Sequence, residues 1–307
     1  MRSASLIALG LAAVLATTSL SGCRAGSTTP PGDAAVLDLV TRTGSYSQRA
    51  QILTDAENHL IADCMHAQHL PYVIPPAASP TTTPGSANDL ASRSRIGYGL
   101  YQQYASKTPD GGPAAQPGSN DYYLAHLPEP EQRRYRTALR GDDTDRAGLK
   151  LGTGQQIAYP RHGCEPQARQ RLYGDLVVDA QITYIPQNVN QAATVQQQQD
   201  SRYRAVLAQW SDCMATGGQR YATPADVRAR LDARYRADGP SDALRQQEIN
   251  LAVQDARCAD RVHLDATALK ILRADTRHIP PADWRELQRL TAAWLKAVTI
   301  AQRVAAR

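Results

Sequence analysis

Asp63–Pro75 reads DCMHAQHLPYVIP, and Asp212–Pro224, at a constant offset of 149 residues, reads DCMATGGQRYATP. Asp, Cys and Met open both copies, a tyrosine follows eight residues after the cysteine, and a proline follows eleven after it. Met65 and Met214 are the only methionines besides the initiator. Leu53, Ala56, Leu60 and Cys64 fall at i, i+3, i+7 and i+11, so the first copy sits at the end of an expected helix over Tyr46–Gln68. Pro71 and Pro75 then force an extended exit. The second copy ends a helix expected to begin at Gln187 or Ala192 and to reach Ala215, where Gly217-Gly218 supplies a stop. One chain thus writes the same joint twice: a helix ends in Cys-Met, turns, presents Tyr72 or Tyr221, and leaves through Pro75 or Pro224.

Upstream, residues 1–22 have the layout of an export signal. Arg2 gives a positive start, and Leu6–Leu15 is an apolar run too short for a membrane-spanning helix, which needs about 20 residues. Leu20-Ser21-Gly22-Cys23 is similar to a bacterial lipobox, in which the cysteine is acylated (palmitate-type chains) and becomes the new N-terminus. The expected product is anchored to the cell membrane on its extracytoplasmic face through Cys23, with residues 23–45 as tether. Loss of residues 1–22 removes Arg2 and no acid, which leaves 33 cationic against 29 acidic side chains, a net +4. That excess suits anionic headgroups or wall polymer. It is spread along the chain, unlike the basic stripe of a nucleic-acid binder, so no nucleic-acid partner is expected.

Four further cysteines remain: Cys64, Cys164, Cys213 and Cys258. In an exported chain they read as two disulfides with three possible pairings. Their spacings, all 45 residues or more, do not suit zinc. Pairing within halves, Cys64–Cys164 and Cys213–Cys258, is the simplest, with pairing across the halves left open.

The composition has no Phe, 14 Tyr and abundant Ala, Arg and Gln, with no convincing alternation of β-branched residues. The fold class expected is mainly α: two pseudo-repeated helical halves, each braced by a disulfide, over residues 46–186 and 187–307, with a loop-rich insertion at 76–163 in the first. Pro128 opens a helix to Arg140 that stops at Gly141, and 141–163 reads as loop. Pro166 opens a helix to about Tyr184. Thr223-Pro224-Ala225-Asp226 starts a helix to Ala237, Ser241 caps one over 242–274 with Ile249, Val253 and Ala256 on one face, and a last amphipathic helix starts at Ala282.

The phrase CMxxxGxxYxxP at Cys64–Pro75 and Cys213–Pro224, GYGL at Gly97–Leu100, YxxALxG at Tyr135–Gly141 and GCxxxAxxxLYGD at Gly163–Asp175 together resemble an uncharacterised family of secreted proteins and lipoproteins from high-G+C Gram-positive bacteria. The resemblance spans most of residues 46–265 and implies the extracytoplasmic address and the fold, and it implies no activity. His69 departs from it, standing where the family pattern has glycine.

Chemistry-bearing clusters are few. His59, Asp63 and His66, with His69 nearby, form a helical stripe, but no HExxH motif accompanies it and no metal or cofactor is expected. His162 beside Cys164 lacks the geometry of a nucleophile–base pair. Glu129, Glu131, Asp142, Asp143 and Asp145 offer acids of the kind glycosidases use, in a solvated cluster. Tyr98, Tyr101, Tyr104, Tyr122 and Tyr123 form a candidate binding surface, weighed against packing, because without Phe tyrosine must supply the core's aromatic rings. The chain therefore reads as a non-enzymatic, membrane-anchored envelope protein that binds cell-wall polymer, a peptide or an envelope protein. The alternative is an envelope hydrolase with its site in the insertion, around His126, His162 and the nearby acids.

Overall fold

The computed structural model describes residues 31–76, 90–106, 116–150, 154, 156–218 and 220–306. Residues 1–22, expected as an export signal, and Cys23 lie outside the described residues, as do most of the Pro- and Gly-rich stretches of the insertion. The fold is mainly α. In chain order the helices are α1 (Pro31–Thr41), α2 (Tyr46–Ala67), α3 (Leu90–Ile96), α4 (Leu100–Ala105), α5 (Asn120–Ala125), α6 (Glu129–Arg140), α7 (Cys164–Tyr173), α8 (Leu176–Gln199), α9 (Ser201–Ala215), α10 (Pro224–Asp238), α11 (Asp242–Arg261), α12 (Leu264–Asp275) and α13 (Pro281–Ala305).

Two disulfides join Cys64 to Cys164 and Cys213 to Cys258, the within-half pairing. Each joins the helix that ends in Cys-Met to a later one, α2 to α7 and α9 to α11. The two are not strict copies, because Cys164 is the first residue of its helix and Cys258 lies near the end of its own.

Each disulfide lies beside its own core. The first core holds Leu60, Met65, Tyr135, Leu172 and Trp294, and the second Leu100, Trp210, Met214, Leu231 and Tyr235. Met65 and Met214 are almost wholly buried, so the methionine of each copy is a core residue. Such burial stabilises by about 1.5–3 kcal/mol per side chain.

The halves exchange elements. The C-terminal helix α13 packs on α2 in the first core, where Trp294 stacks on Tyr46 with ring centroids 5.6 Å apart. In the other direction, α3 and α4, from the first-half insertion, pack on α10 and α11 of the second core.

Several local expectations change. The segment 23–45, expected as tether, contains α1, whose Val36 and Val40 bury against Leu287. Residue 187, the expected boundary, lies inside α8, which continues through Pro186 because Ala180, Ile182, Pro186 and Ala193 all bury. The chain breaks elsewhere, at residues that cap. Asp175 accepts from the Val177 N–H and Asp200 from the Arg202 N–H, so each starts a new helix. The expected helix 242–274 is two, separated at His263, whose φ is +55°. The stretch 141–163 is not all loop. It carries an antiparallel hairpin, β1 (Arg146–Lys150) with β2 (Gln156–Pro160), whose alternation is short and puts Ala147, Leu149, Ile157 and Tyr159 on the less exposed face, only one of them β-branched.

Candidate functional site

The Cys64–Cys164 disulfide forms part of the wall of a groove of about 640 Å³. One side is the turn that ends α2. The Leu70 N–H donates to the Met65 carbonyl and the His69 N–H to the His66 carbonyl, a Schellman stop. It needs left-handed backbone at residue 69, and His69 adopts it at φ +57°. The departure from glycine at this position therefore leaves the turn intact at the cost of strain. At the matching position of the second copy Gly218 has φ +86°. The Gln68 amide lies over the disulfide, its Nε2 3.1 Å from Cys164 Sγ.

The opposite side is α6, with Arg133, Arg134 and Thr137. The third side is the residue pair that leads from β2 into α7, Arg161 and His162. Two glycines let this segment approach α6. A Cβ on Gly141 would lie 2.0 Å from the His162 carbonyl oxygen, and one on Gly163 would lie 2.5 Å from the Gly141 nitrogen. The glycines of YxxALxG and of GC thus mark one backbone crossing, and that crossing sets Arg161 and His162 beside α6.

The groove is cationic. Arg133, Arg134, Arg161 and His162 line it with the amides of Gln68, Gln167 and Gln170, and no Asp or Glu is among the lining residues. Asp145, just behind, faces His162 Nε2 at 2.9 Å and Arg161 Nε at 3.6 Å. Arg133 pairs with Glu129 along α6. The Arg134 guanidinium makes no hydrogen bond or ion pair among the described residues. Because the planar guanidinium fork can donate to two oxygens of one oxyanion at once, this lining suits phosphate or carboxylate groups.

A smaller cavity of about 200 Å³ lies on the far side of α7, with Arg140, Glu165, Arg169 and Asp179 in its lining. Arg169 Nε donates to Glu57 at 2.8 Å. Burial pushes the Asp179 carboxyl up to about 6, with Arg169 opposing and Glu57 adding to the shift. Burial likewise raises Glu165, against Arg140 and Arg169.

The five tyrosines do not form one surface. Tyr98, Tyr101 and Tyr104 are packed against the second core. The Tyr98 hydroxyl donates to Asp255 at 2.8 Å, and burial, then Asp255, raises its pKa. Tyr104 stacks on Tyr235 and donates to Asp232. The lack of Phe is the physical reason, since tyrosine supplies the aromatic rings of this core. Tyr122 and Tyr123, on α5, stay partly exposed, and the Tyr122 ring lies tilted against His126 with centroids 4.0 Å apart.

The remaining candidates lie in solvent. His59, Asp63 and His66 occupy the exposed face of α2, and no group of metal-ligating side chains occurs among the described residues. Glu129 and Asp143 are engaged by Arg133 and Arg146 on the surface. Asp142 is held below its ordinary value by the N–H and hydroxyl of Thr144. Cys164 is in a disulfide and is not a thiol nucleophile.

Sequence reasoning missed a pair of buried acids on α11. Glu248 and Asp255 stand on the buried stripe of Leu244, Leu251, Ala252 and Ala256, while Ile249 and Val253 lie at its edge. Asp255 accepts from Tyr98 and from Trp210 Nε1 at 2.9 Å. Acids recurring at i and i+7 on an apolar helical face were the signal available.

Fold and groove define a helical, doubly disulfide-braced chain with an arginine-lined cleft on its first brace. Comparison with protein-family models, curated proteins and solved structures finds no match. Among the described residues no helix is long and apolar enough to cross a membrane.

Proposed function

We propose that this chain is a lipid-anchored, extracytoplasmic envelope protein that binds an anionic wall component and is not an enzyme. The observation that carries the reading is the groove beside Cys64–Cys164, where three arginines, a histidine and three glutamine amides face one space with no acid in its lining. The lipobox at Leu20–Cys23 and the resemblance to secreted proteins and lipoproteins support the address. The two disulfides fit an oxidising compartment.

The test is co-sedimentation of soluble mature protein with isolated cell wall, before and after removal of its anionic polymers. Binding that disappears with those polymers supports the reading. Failure to sediment with intact wall and to capture an envelope partner would sink it. Mass spectrometry of protein extracted from membranes tests the anchor separately, through the acyl mass on Cys23.

A second reading, an envelope hydrolase, is favoured by one contact. His162 and Asp145 approach to 2.9 Å, the geometry of a base with its orienting carboxylate. Release of muropeptides or sugars from purified wall, lost in His162→Ala, would establish it.

A further inference from the structure

The second disulfide carries a groove of its own. Cys213 and Cys258 contribute to the wall of a space of about 390 Å³ lined by Thr216, Asn250, Gln254, Arg257 and Arg261, again with no acid in the lining. The parallel with the first groove extends to its parts. In both, the turn after Cys-Met forms one wall and carries a glutamine amide, from within the turn in the first groove and from the facing helix α11 in the second. Gln68 Nε2 lies 3.5 Å from the Cys64 carbonyl, and Gln254 Nε2 donates to the Met214 carbonyl at 2.9 Å. In both, arginines complete the lining.

Arg257 and Arg261 are four residues apart on α11 and exposed, and their guanidinium groups make no hydrogen bond or ion pair among the described residues. Like charges at this spacing repel by only about 0.2–0.5 kcal/mol. Their Gln254 neighbour fixes the wall of the groove while leaving both guanidinium groups available. Only Lys107, Lys150, Lys270 and Lys296 of the 34 cationic side chains are lysine, so the chain's positive charge is carried almost wholly by the group that grips oxyanions in bidentate fashion.

We propose that the Cys213–Cys258 groove is a second oxyanion site, and that the two grooves together hold a polymer with regularly recurring phosphate or carboxylate groups. This rests on the anionic-ligand reading of the first groove and extends it from one anion to a chain of them. Two weak sites on one body gain apparent affinity from a flexible ligand long enough to reach both, without any new contact. The repeated DCM phrase then has a functional meaning: it builds the same kind of site twice.

The test is isothermal titration of the intact mature protein with tripolyphosphate, long-chain polyphosphate and polyglutamate. The expected result is two tripolyphosphate sites per chain, falling to one in Arg257→Gln/Arg261→Gln. Long-chain polymer should bind the native protein at least about tenfold more tightly than that variant. Circular dichroism confirms that the variant, altered only at exposed positions, is folded. Which polymer shows the chain-length gain identifies phosphate or carboxylate as the source, and either result supports the proposal. A single site unchanged by the double substitution would overturn the second groove and leave the first intact. Absence of any anion binding would overturn both.

Discussion

Glu248, buried on α11, accepts the backbone N–H of Tyr98 at 2.8 Å across 150 residues of chain. The same carboxylate accepts the Leu100 and Tyr101 N–H groups at 2.8 and 2.9 Å and the Tyr235 hydroxyl at 2.7 Å. Gly97 allows the approach, since a Cβ there would lie 2.7 Å from Glu248 Cγ. The GYGL segment is therefore a cradle of N–H groups closed on an internal acid. Glu248→Ala leaves these donors without partners and should destabilise the fold by about 2–4 kcal/mol. Glu248→Gln turns an amide donor toward them and should be destabilising too. Denaturant unfolding with the same m-value in all three proteins checks this.

That cradle shows where the sequence was legible and where it was not. Helix starts carried by local chemistry were readable. Thr223, with Asp226 three residues on, forms a full capping box, and Pro128 opens α6. The disulfide framework followed from the cysteine count and the expected export. Contacts between distant segments left no local trace. Nothing around Tyr98 announces Glu248, and nothing in α13 says that Trp294 returns to Tyr46. The grooves were hidden for the same reason, because Arg134 and Arg161 become neighbours only through the Gly141–Gly163 crossing. The break at Asp200 is a cap masked by the helix-favouring Gln196–Gln199 run before it, whereas at Asp175 the preceding Gly174, which ends α7 at φ +81°, was a local signal left unread.

Asp179 should make stability pH-dependent. Its carboxyl ordinarily titrates at 3.8 and is pushed up to about 6 by burial. The folded protein therefore binds this proton more tightly than the unfolded chain. The contribution favours folding in full below pH 3.8 and is lost as pH rises to about 6. Asp179→Asn should remove this dependence and gain about 1 kcal/mol at neutral pH. The comparison is of melting temperature against pH in both proteins, and a carboxyl titration by NMR near 4 would contradict the assignment.

His69 and Gly218 hold matching left-handed positions at the ends of the two Cys-Met helices. A non-glycine residue there is strained by about 1–2 kcal/mol. His69→Gly should raise stability by about 1 kcal/mol and Gly218→Ala should lower it by a similar amount. No atom lies within 4 Å of the position a Cβ would take at Gly218, so the second effect isolates backbone conformation. Shifts in denaturation midpoint of the opposite sign would count against the turn geometry.

Cys213→Ser with Cys258→Ser opens a loop of 45 residues, and Cys64→Ser with Cys164→Ser one of 100. On chain entropy each pair is expected to cost about 4–5 kcal/mol. Non-reducing peptide mapping of the native protein should yield two linked peptide pairs, Cys64 with Cys164 and Cys213 with Cys258. Four free thiols would remove the braces from the account.

The central claim is that the arginine-lined groove on the first disulfide receives an oxyanion. Hydrogen exchange of the intact mature protein, with and without long-chain polyphosphate at low ionic strength, tests it most directly. Slowed exchange over 133–141 and 161–170, abolished in Arg134→Gln/Arg161→Gln and weakened by salt, is the expected result. Protection confined to other segments, or unchanged in that variant, would contradict it.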